Sequence, residues 1–170
     1  MTQLHVAVIC TGNICRSPMG EVALKHLLGA SSDLALRVSV TSAGTARWHE
    51  GSAMDPRARR ALDRAGFVEP GSRAAYADSA YLDRQDLVLV MTREHRVDVL
   101  ARLTNPRTEV VMVRNLLQPG LDLDVADPYY GTDDDFDTCL TVLTEASQRL
   151  LDRWHADETP IHATDGRFDG

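Results

Sequence analysis

Hydrophobic and polar residues follow two rhythms along this chain, one typical of strands and one typical of helices. Short apolar or alternating segments predict β-strands over 4–9, 36–42, 86–91 and 109–113. Longer segments, with apolar residues three and four positions apart, predict helices over 18–28, 55–65, 92–102 and 133–154. Because strands alternate with helices, the pattern predicts an α/β domain built on a parallel sheet.

Residues with strong capping preferences mark the starts of three predicted helices. We expect Ser17 to cap the first helix, with Pro18 in its first turn. Asp55 and Pro56 form the same kind of pair at the start of the second helix. Thr92 or a neighbour is expected to cap the third helix.

Length and composition are those of one ordinary globular domain. The chain has 170 residues, of which 44% are hydrophobic and 25% are charged, enough to bury a substantial core. No internal repeat or low-complexity linker divides it. We expect the domain to span residues 1–156, followed by a polar C-terminal tail over 157–170.

The charge balance and the cysteine count narrow the class of protein further. Eighteen lysines and arginines against 25 acidic residues give a formal net charge of −7, which argues against nucleic acid or an anionic membrane as a partner. No apolar run has the length of a membrane span, and the N-terminus lacks the pattern of a secretory signal. Three cysteines suit a reducing compartment. We predict a cytoplasmic protein; export by a signal-independent route stays open.

The candidate chemistry lies between the first strand and the first helix, in the segment from Cys10 to Ser17. A loop that leads from a strand to a helix N-terminus points several backbone N–H groups at one place, which forms an anion site. Arg16 adds a permanently charged fork suited to phosphate oxygens. The same positive field favours the thiolate of Cys10, which is the nucleophilic form. The segment therefore predicts nucleophilic displacement on an oxyanion such as a phosphate ester.

Other residues are expected to join this loop at the same edge of the sheet. Ligands of open parallel sheets bind beyond the carboxyl ends of the strands. A glycine-bracketed loop with Trp48 follows the second predicted strand, and Thr92 follows the third. A further loop carries Asp127, Tyr129 and Tyr130. We expect these segments to meet the Cys10 loop at one site.

Two motifs resemble those of the low-molecular-weight protein tyrosine phosphatases: Cys-Thr-Gly-Asn-Ile-Cys-Arg-Ser-Pro over 10–18 and Asp-Pro-Tyr-Tyr over 127–130. The segment Ser-Ala-Gly-Thr over 42–45, followed by Trp48, is similar to the actinobacterial members. The resemblance covers the chain from the first strand to Trp154. It implies a single three-layer α/β domain with a four-stranded parallel sheet in the order 2-1-3-4 and helices on both faces.

The resemblance also implies roles for individual residues. Cys10 would attack phosphorus and form a phosphocysteine, Arg16 would hold the phosphoryl oxygens, and Asp127 would act as general acid and then as general base. Ser17 would donate a hydrogen bond to the sulfur of Cys10. The full phosphate-binding set would be Thr11, Gly12, Asn13, Ile14, Cys15 and Ser17, and the substrate-cleft set Trp48, Tyr129 and Tyr130. No metal and no organic cofactor would be required, because the loop itself supplies the positive charge.

Two further expectations concern regulation and support of the loop. In the family, a second cysteine at the position of Cys15 can form a reversible disulfide with the nucleophile, here Cys10, and protect it from overoxidation. The family often has a histidine, where this chain has Ser72, that supports the loop asparagine, here Asn13. Either Ser72 makes that hydrogen bond more weakly or Asn13 is held in another way.

The resemblance leaves several functions to compare. The expected one is hydrolysis of phosphotyrosine in proteins and of small aryl phosphates by a monomer, with inorganic phosphate as product and inhibitor. Phosphoarginine hydrolysis is an alternative, because some bacterial relatives with threonine at the position of Thr11 perform it. Arsenate reduction is disfavoured, since no cysteine lies between residues 70 and 100. A phosphotyrosine-binding module without turnover is disfavoured by the presence of Cys10, Arg16 and Asp127 together.

Overall fold

A computed structural model describes residues 3–156 of the chain, and the tail predicted over 157–170 lies outside the described residues. The four strands form one sheet in the order β2-β1-β3-β4, and every neighbouring pair is parallel. This confirms the predicted sheet. The strands are β1 (Leu4–Cys10), β2 (Val38–Gly44), β3 (Leu87–Val90) and β4 (Glu109–Met112).

Helices cover both faces of this sheet. They are α1 (Arg16–Gly29), α2 (Ser32–Arg37), α3 (Pro56–Arg64), α4 (Ser79–Leu82), α5 (Arg93–Arg102) and α6 (Asp133–Ala156), with a 3-10 turn over Val113–Leu116. Helix α1 packs on β1, β2, α3 and α6, whereas α5 packs on β3, β4 and α4. The three-layer prediction is therefore confirmed. Within residues 3–156, no helix is both long enough and apolar enough to cross a bilayer.

The strand residues divide between two cores because successive side chains of a strand point to opposite faces. Val6 and Val8 of β1 lie in the core shared with α1 and α6. Ala7 and Ile9 lie in the smaller core on the face of α5. All four are at most 2% exposed. Because β1 is buried on both faces from Val6 onwards, its sequence there is continuously apolar rather than alternating, and only His5 near its start is polar and exposed.

The structure corrects several of the predicted element boundaries. Leu36 and Arg37 belong to helix α2 and not to the second strand, which begins at Val38. An ion pair between Asp33 and Arg37, one helical turn apart, is consistent with the helix there. The four-residue helix α4 has no counterpart among the predicted elements. The fourth strand ends at Met112, one residue earlier than expected.

The start of α1 also differs from the prediction. Ser17 lies inside the helix, and the residue before the helix is Cys15, which makes no side-chain capping hydrogen bond. Ser17 is fully buried and its hydroxyl bonds to the loop instead. The predicted caps Asp55 and Thr92 are confirmed, because their side chains accept from the backbone N–H of Arg57 and of His95.

Backbone hydrogen bonds join the loops that follow three strands. The N–H groups of Thr45 and Ala46, after β2, donate to the carbonyls of Cys10 and Thr11, at 2.9 and 3.0 Å. The N–H of Val125 donates to the carbonyl of Met91, just after β3, at 2.8 Å. The segments predicted to meet at the carboxyl edge of the sheet therefore do so.

Candidate active site

The segment from Cys10 to Arg16 forms a tight loop between β1 and α1. Asn13 is in the left-handed region, with φ of 55°, a conformation that asparagine adopts more readily than most residues. At the end of β2, a Cβ added to Gly44 would lie only 2.5 Å from the backbone carbonyl oxygen of Thr11. The shape of the loop therefore depends on both residues, on Asn13 for its backbone conformation and on Gly44 for the close approach of β2.

Cys10 lies at the bottom of this loop and is only 3% exposed. Its Sγ is 3.0 Å from the Oγ of Ser17, which is close for a hydrogen bond to sulfur. A second acceptor near the Ser17 hydroxyl, the carbonyl of Ala43, is more distant, at 3.4 Å. A hydroxyl in this position can stabilise negative charge on the sulfur.

Asn13 is held by three hydrogen bonds, and Ser72 makes none of them. Its Nδ2 donates to the Oγ of Ser17 at 2.8 Å and to the Oγ of Ser42 at 2.9 Å. Its Oδ1 accepts from the backbone N–H of Ala75 at 2.9 Å. Of the two alternatives, the structure therefore supports the second: Asn13 is held by groups other than Ser72.

The donors and acceptors of this network fix the direction of each hydrogen bond. Ser42 accepts from Asn13, and its own hydroxyl donates to the carboxylate of Glu21 at 2.5 Å. Glu21 is buried and also accepts from Lys25 at 2.6 Å. Because Ser17 likewise accepts from Asn13, its proton is free to point at the sulfur of Cys10.

Arg16 and Asp127 form an ion pair beside the loop. The Arg16 side chain is almost fully buried, and its Nη2 donates to the Oδ2 of Asp127 at 3.1 Å. Its Nη1 donates to the carbonyl of Val125 at 3.1 Å. The Asp127 side chain is 47% exposed, and its Oδ1 accepts from the N–H of Tyr129 at 3.1 Å. A guanidinium and a carboxylate are thus placed side by side at the edge of the loop.

A cleft of about 270 Å³ opens above these groups. Trp48 is 80% exposed and Tyr130 is 94% exposed, with Tyr129 packed edge-on against Tyr130. Large aromatic side chains that stay this exposed suit contacts with a flat ligand. The lining residues are Cys10, Thr11, Gly12, Ile14, Cys15, Arg16, Trp48, His49, Asp127, Tyr129 and Tyr130.

Two residues of the predicted phosphate-binding set lie elsewhere. The side chains of Asn13 and Ser17 are buried beneath the loop, where they bond to other protein groups, and neither residue lines the cleft. Their contact with phosphate stays a prediction. All other predicted catalytic, phosphate-binding and cleft residues line the same cleft.

The two cysteines of the loop are free thiols, and both are buried. Burial, and then the negative charge of Asp55, raise the pKa of Cys15. Cys15 is therefore held as the neutral thiol. Neutral thiols are poor nucleophiles, which disfavours Cys15 as the attacking sulfur.

The sequence pattern did not indicate three residues that support the site. His95 in α5 is 3% exposed, and its Nε2 lies 2.7 Å from the Oγ1 of Thr11. Burial, and then the charge of Arg16, lower the pKa of His95 to about 4. Glu21 is the second of these residues. His95 and Glu21 lie on helices, where a polar residue is usually solvated. The only sequence signal for their role is that their helices, α5 and α1, begin at the carboxyl edge of the sheet, where the site lies.

Arg57 is the third of these residues, although its spacing with Arg60 and Arg64 is typical of a solvated helix face. Its guanidinium bonds to the carboxylate of Asp55 and donates to the carbonyl of Tyr129 at 2.8 Å. It also lies over the ring of Tyr129. Arg57 therefore ties the loop that carries Asp127 to helix α3.

Comparisons with known proteins find relatives over most of the chain. The family model for low molecular weight phosphotyrosine protein phosphatases matches residues 5–159. The chain is similar to the low molecular weight protein-tyrosine-phosphatase of Streptomyces coelicolor, with 38% identity covering 86% of this chain and 91% of that one. It is also similar to the low molecular weight protein-tyrosine phosphatase A of Mycobacterium tuberculosis, with 40% identity covering 88% and 90%.

A solved structure adds agreement in three dimensions. The YwlE arginine phosphatase of Bacillus subtilis superimposes with a TM-score of 0.78 at 26% identity, covering 91% of this chain and 98% of that chain. That protein was solved as a cysteine-to-serine mutant whose active-site serine is phosphorylated. With a family model over most of its length and relatives of similar size, this chain belongs to the low molecular weight phosphotyrosine protein phosphatase family.

Proposed function

We propose that this protein hydrolyses phosphotyrosine in proteins, and small aryl phosphates, through a phosphocysteine intermediate. One observation carries the proposal: Cys10, Arg16 and Asp127 line a single cleft. A nucleophile, a fixed cation and a carboxyl group are the parts that displacement on a phosphate monoester needs. Inorganic phosphate would be the product, and it would inhibit by occupying the same cleft.

The first chemical step would transfer the phosphoryl group to sulfur. The thiolate of Cys10 attacks phosphorus, and the bond between phosphorus and the tyrosine oxygen breaks. Asp127 gives its proton to that leaving oxygen. Arg16 and the loop N–H groups hold the three remaining phosphoryl oxygens while charge spreads over them. The Ser17 hydroxyl, 3.0 Å from the sulfur, stabilises the thiolate before attack.

The second step would return the enzyme to its starting state. Asp127, now a carboxylate, takes a proton from water as the water oxygen attacks phosphorus. The phosphorus–sulfur bond breaks, and inorganic phosphate leaves with Cys10 again a thiolate.

Substrate binding would also change the ion pair between Arg16 and Asp127. Because Arg16 bonds to Asp127 at 3.1 Å in this structure, a phosphoryl group bound to the guanidinium would compete with the Asp127 carboxylate for it. That competition would free the Asp127 carboxyl group to face the leaving oxygen.

The aromatic rim favours a tyrosine substrate. Trp48, Tyr129 and Tyr130 are well placed to pack on both sides of a phenyl ring, since all three line the cleft and keep much of their surface exposed. Phosphoarginine is the second candidate, supported by Thr11 on the cleft wall and by the likeness to an arginine phosphatase. A phenyl ring buries more apolar surface against these aromatic side chains than a phosphorylated guanidine group does, so we favour phosphotyrosine.

Parallel assays of matched substrates test the proposal. Under reducing conditions the protein should hydrolyse p-nitrophenyl phosphate and phosphotyrosine peptides, and vanadate should inhibit it. Asp127→Ala should slow turnover by a factor of about 10² to 10⁴, the usual contribution of general acid catalysis. Cys10→Ser should abolish turnover. Hydrolysis of a phosphoarginine peptide at a higher kcat/KM than a phosphotyrosine peptide of the same sequence would replace our proposal with the second candidate.

The resemblance and the two loop thiols together support a redox control of the same site. A peroxide would oxidise the Cys10 thiolate to sulfenic acid and be reduced to water. The thiol of Cys15 would then condense with that sulfenic acid, releasing water and forming a disulfide. Cys15→Ser should leave the reduced enzyme active but prevent recovery of activity by dithiothreitol after peroxide treatment. Full recovery of the Cys15→Ser variant would contradict this control.

A further inference from the structure

The buried imidazole of His95 contacts Thr11 in the loop between β1 and α1, and the proposed reaction steps give neither side chain a role. Its Nε2 is 2.7 Å from the Oγ1 of Thr11, which lines the cleft. His95 lies in the first turn of α5, and its backbone N–H bonds to the Oγ1 of Thr92. Since β1 and β3 are neighbours in the sheet, the loop after one strand and the helix after the other meet here.

The imidazole is neutral, so only one of its two nitrogens carries a proton. Burial and the nearby charge of Arg16 lower the pKa of His95 to about 4, well below the pH at which such an enzyme would work. A neutral imidazole donates through one nitrogen and accepts through the other. The direction of the hydrogen bond to Thr11 therefore depends on which nitrogen holds the proton.

The surroundings of the second nitrogen decide between the two tautomers. Nδ1 of His95 is buried and has no hydrogen-bond partner among the described residues. With the proton on Nδ1, the structure would contain a buried N–H without an acceptor, which is rare in folded proteins. With the proton on Nε2, only a lone pair is left without a partner. The geometry favours Nε2–H as the donor and the Thr11 oxygen as the acceptor.

From these contacts we infer that His95 is a positioning residue, which donates from Nε2 to Thr11 and so turns the Thr11 hydroxyl proton towards the phosphoryl group in the cleft. A hydroxyl that accepts from His95 keeps its own proton available as a donor. Thr11 then adds one side-chain hydrogen bond to those of the loop N–H groups and Arg16. The inference rests on the proposed function for the identity of the ligand.

A double-mutant cycle measured on inorganic phosphate binding tests this inference. Thr11→Val removes the hydroxyl and keeps the shape, and His95→Leu removes the donor and keeps the site filled and apolar. Each should weaken phosphate binding about tenfold, the effect of losing one hydrogen bond to a charged group. The double variant should also lose about tenfold rather than about a hundredfold, because both changes remove the same contact. Thr41→Val is the matched control: it removes a threonine hydroxyl bonded to Tyr81 outside the cleft and should leave phosphate binding unchanged.

Several results would overturn the inference. A loss of about a hundredfold in the double variant would show that His95 supports the fold and does not act through Thr11. Unchanged phosphate binding in His95→Leu would show that His95 does not contribute to binding at all. Nitrogen-15 NMR of the unmodified protein gives a readout that does not depend on any variant folding: the proton should be on Nε2, and a proton on Nδ1 would contradict the assignment. Because phosphate binding needs no turnover, an inactive wild-type protein that shows the coupled losses would refute the proposed function and leave this inference intact.

Discussion

At the scale of single residues, the site depends on hydrogen bonds whose directions follow from one another. Lys25 and Ser42 both donate to Glu21, so Ser42 can only accept from Asn13. Asn13 in turn donates to Ser17. The buried carboxylate of Glu21 therefore sets the directions of a series of hydrogen bonds that ends with the Ser17 hydroxyl beside the sulfur of Cys10. The carboxylate of Glu21 does not line the cleft, yet through these hydrogen bonds it determines the direction in which the Ser17 hydroxyl points.

Ser42→Ala should reduce activity although Ser42 does not line the cleft. The change removes an acceptor from Asn13 and a donor from Glu21, leaving buried polar groups unpaired at a cost of about 1–3 kcal/mol. Because the hydrogen bonds that direct the Ser17 hydroxyl at Cys10 are disturbed, we expect the activation barrier to rise by about 1.4 kcal/mol and kcat on p-nitrophenyl phosphate to fall about tenfold. Ser147→Ala is the control, because Ser147 is also buried and hydrogen-bonded, but to Leu143 within α6. Wild-type kcat in Ser42→Ala would show that the network does not matter to catalysis.

At the scale of elements, helix α3 positions the loop that carries Asp127, the proposed proton donor. Arg57 is the link, because it bonds to Asp55 at the N-terminal cap of its own helix and to the carbonyl of Tyr129 in the loop that carries Asp127. Two other arginines of the same helix, Arg60 and Arg64, pair with aspartates of α6. Those pairs are about half exposed, and exposed pairs contribute little to stability. Arg57 differs from them because it holds a loop of the cleft.

Arg57→Gln should weaken general acid catalysis more than substrate binding. Without the hydrogen bond to Tyr129, the loop is held less firmly, and the Asp127 carboxyl group is less often within hydrogen-bonding distance of the leaving oxygen. We expect kcat to fall several-fold for phenyl phosphate, whose leaving oxygen needs a proton, and much less for p-nitrophenyl phosphate, whose leaving group is a weaker base. Arg60→Gln changes the same helix away from the cleft and should alter neither kcat by more than about twofold. Equal losses on both substrates would contradict the role given to Arg57.

The strands could be predicted closely from the sequence and the short helices poorly, for a physical reason. Burial on both faces makes β1 and β3 continuously apolar, a pattern typical of the central strands of a parallel sheet. Helices of four to six residues, such as α2 and α4, are too short to show a helical period. The site, too, could be predicted only in part. Cys10 and Arg16 could be predicted from a sequence motif, whereas His95 contacts Thr11 only because β1 and β3 are neighbours in the sheet.

At the scale of the whole molecule, the buried histidine links the fold to pH. The pKa of His95 is about 4 in the folded protein, against 6.5 as the ordinary value. Above pH 6.5 both the folded and the unfolded chain carry the neutral ring, so stability does not depend on the titration of this group. Between pH 6.5 and about 4 the unfolded chain binds a proton that the folded chain does not. Stability therefore falls as the pH falls through this window.

Denaturant unfolding at several pH values should show this dependence. Between about pH 6.5 and about pH 4.5 we expect the wild-type free energy of unfolding to decrease relative to that of His95→Gln by on the order of 2 kcal/mol, because one extra proton is worth about 1.4 kcal/mol per pH unit. His5→Gln is the control, since His5 is exposed at the surface and should leave the wild-type pH dependence unchanged. Parallel curves for the wild type and His95→Gln would mean that His95 is not held neutral.

The covalent intermediate on Cys10 is the claim on which the mechanism depends, and trapping it is the most direct test. With p-nitrophenyl phosphate, Asp127→Ala should slow hydrolysis of the intermediate more than its formation, because the leaving group needs little protonation. Acid quenching during turnover then preserves the phosphate that is bound to sulfur. Mass spectrometry of the digested protein should find phosphate on the peptide that contains Cys10, and none on that peptide in Cys10→Ala under the same conditions. Continuing turnover with no phosphate on Cys10 at any quench time would contradict the account.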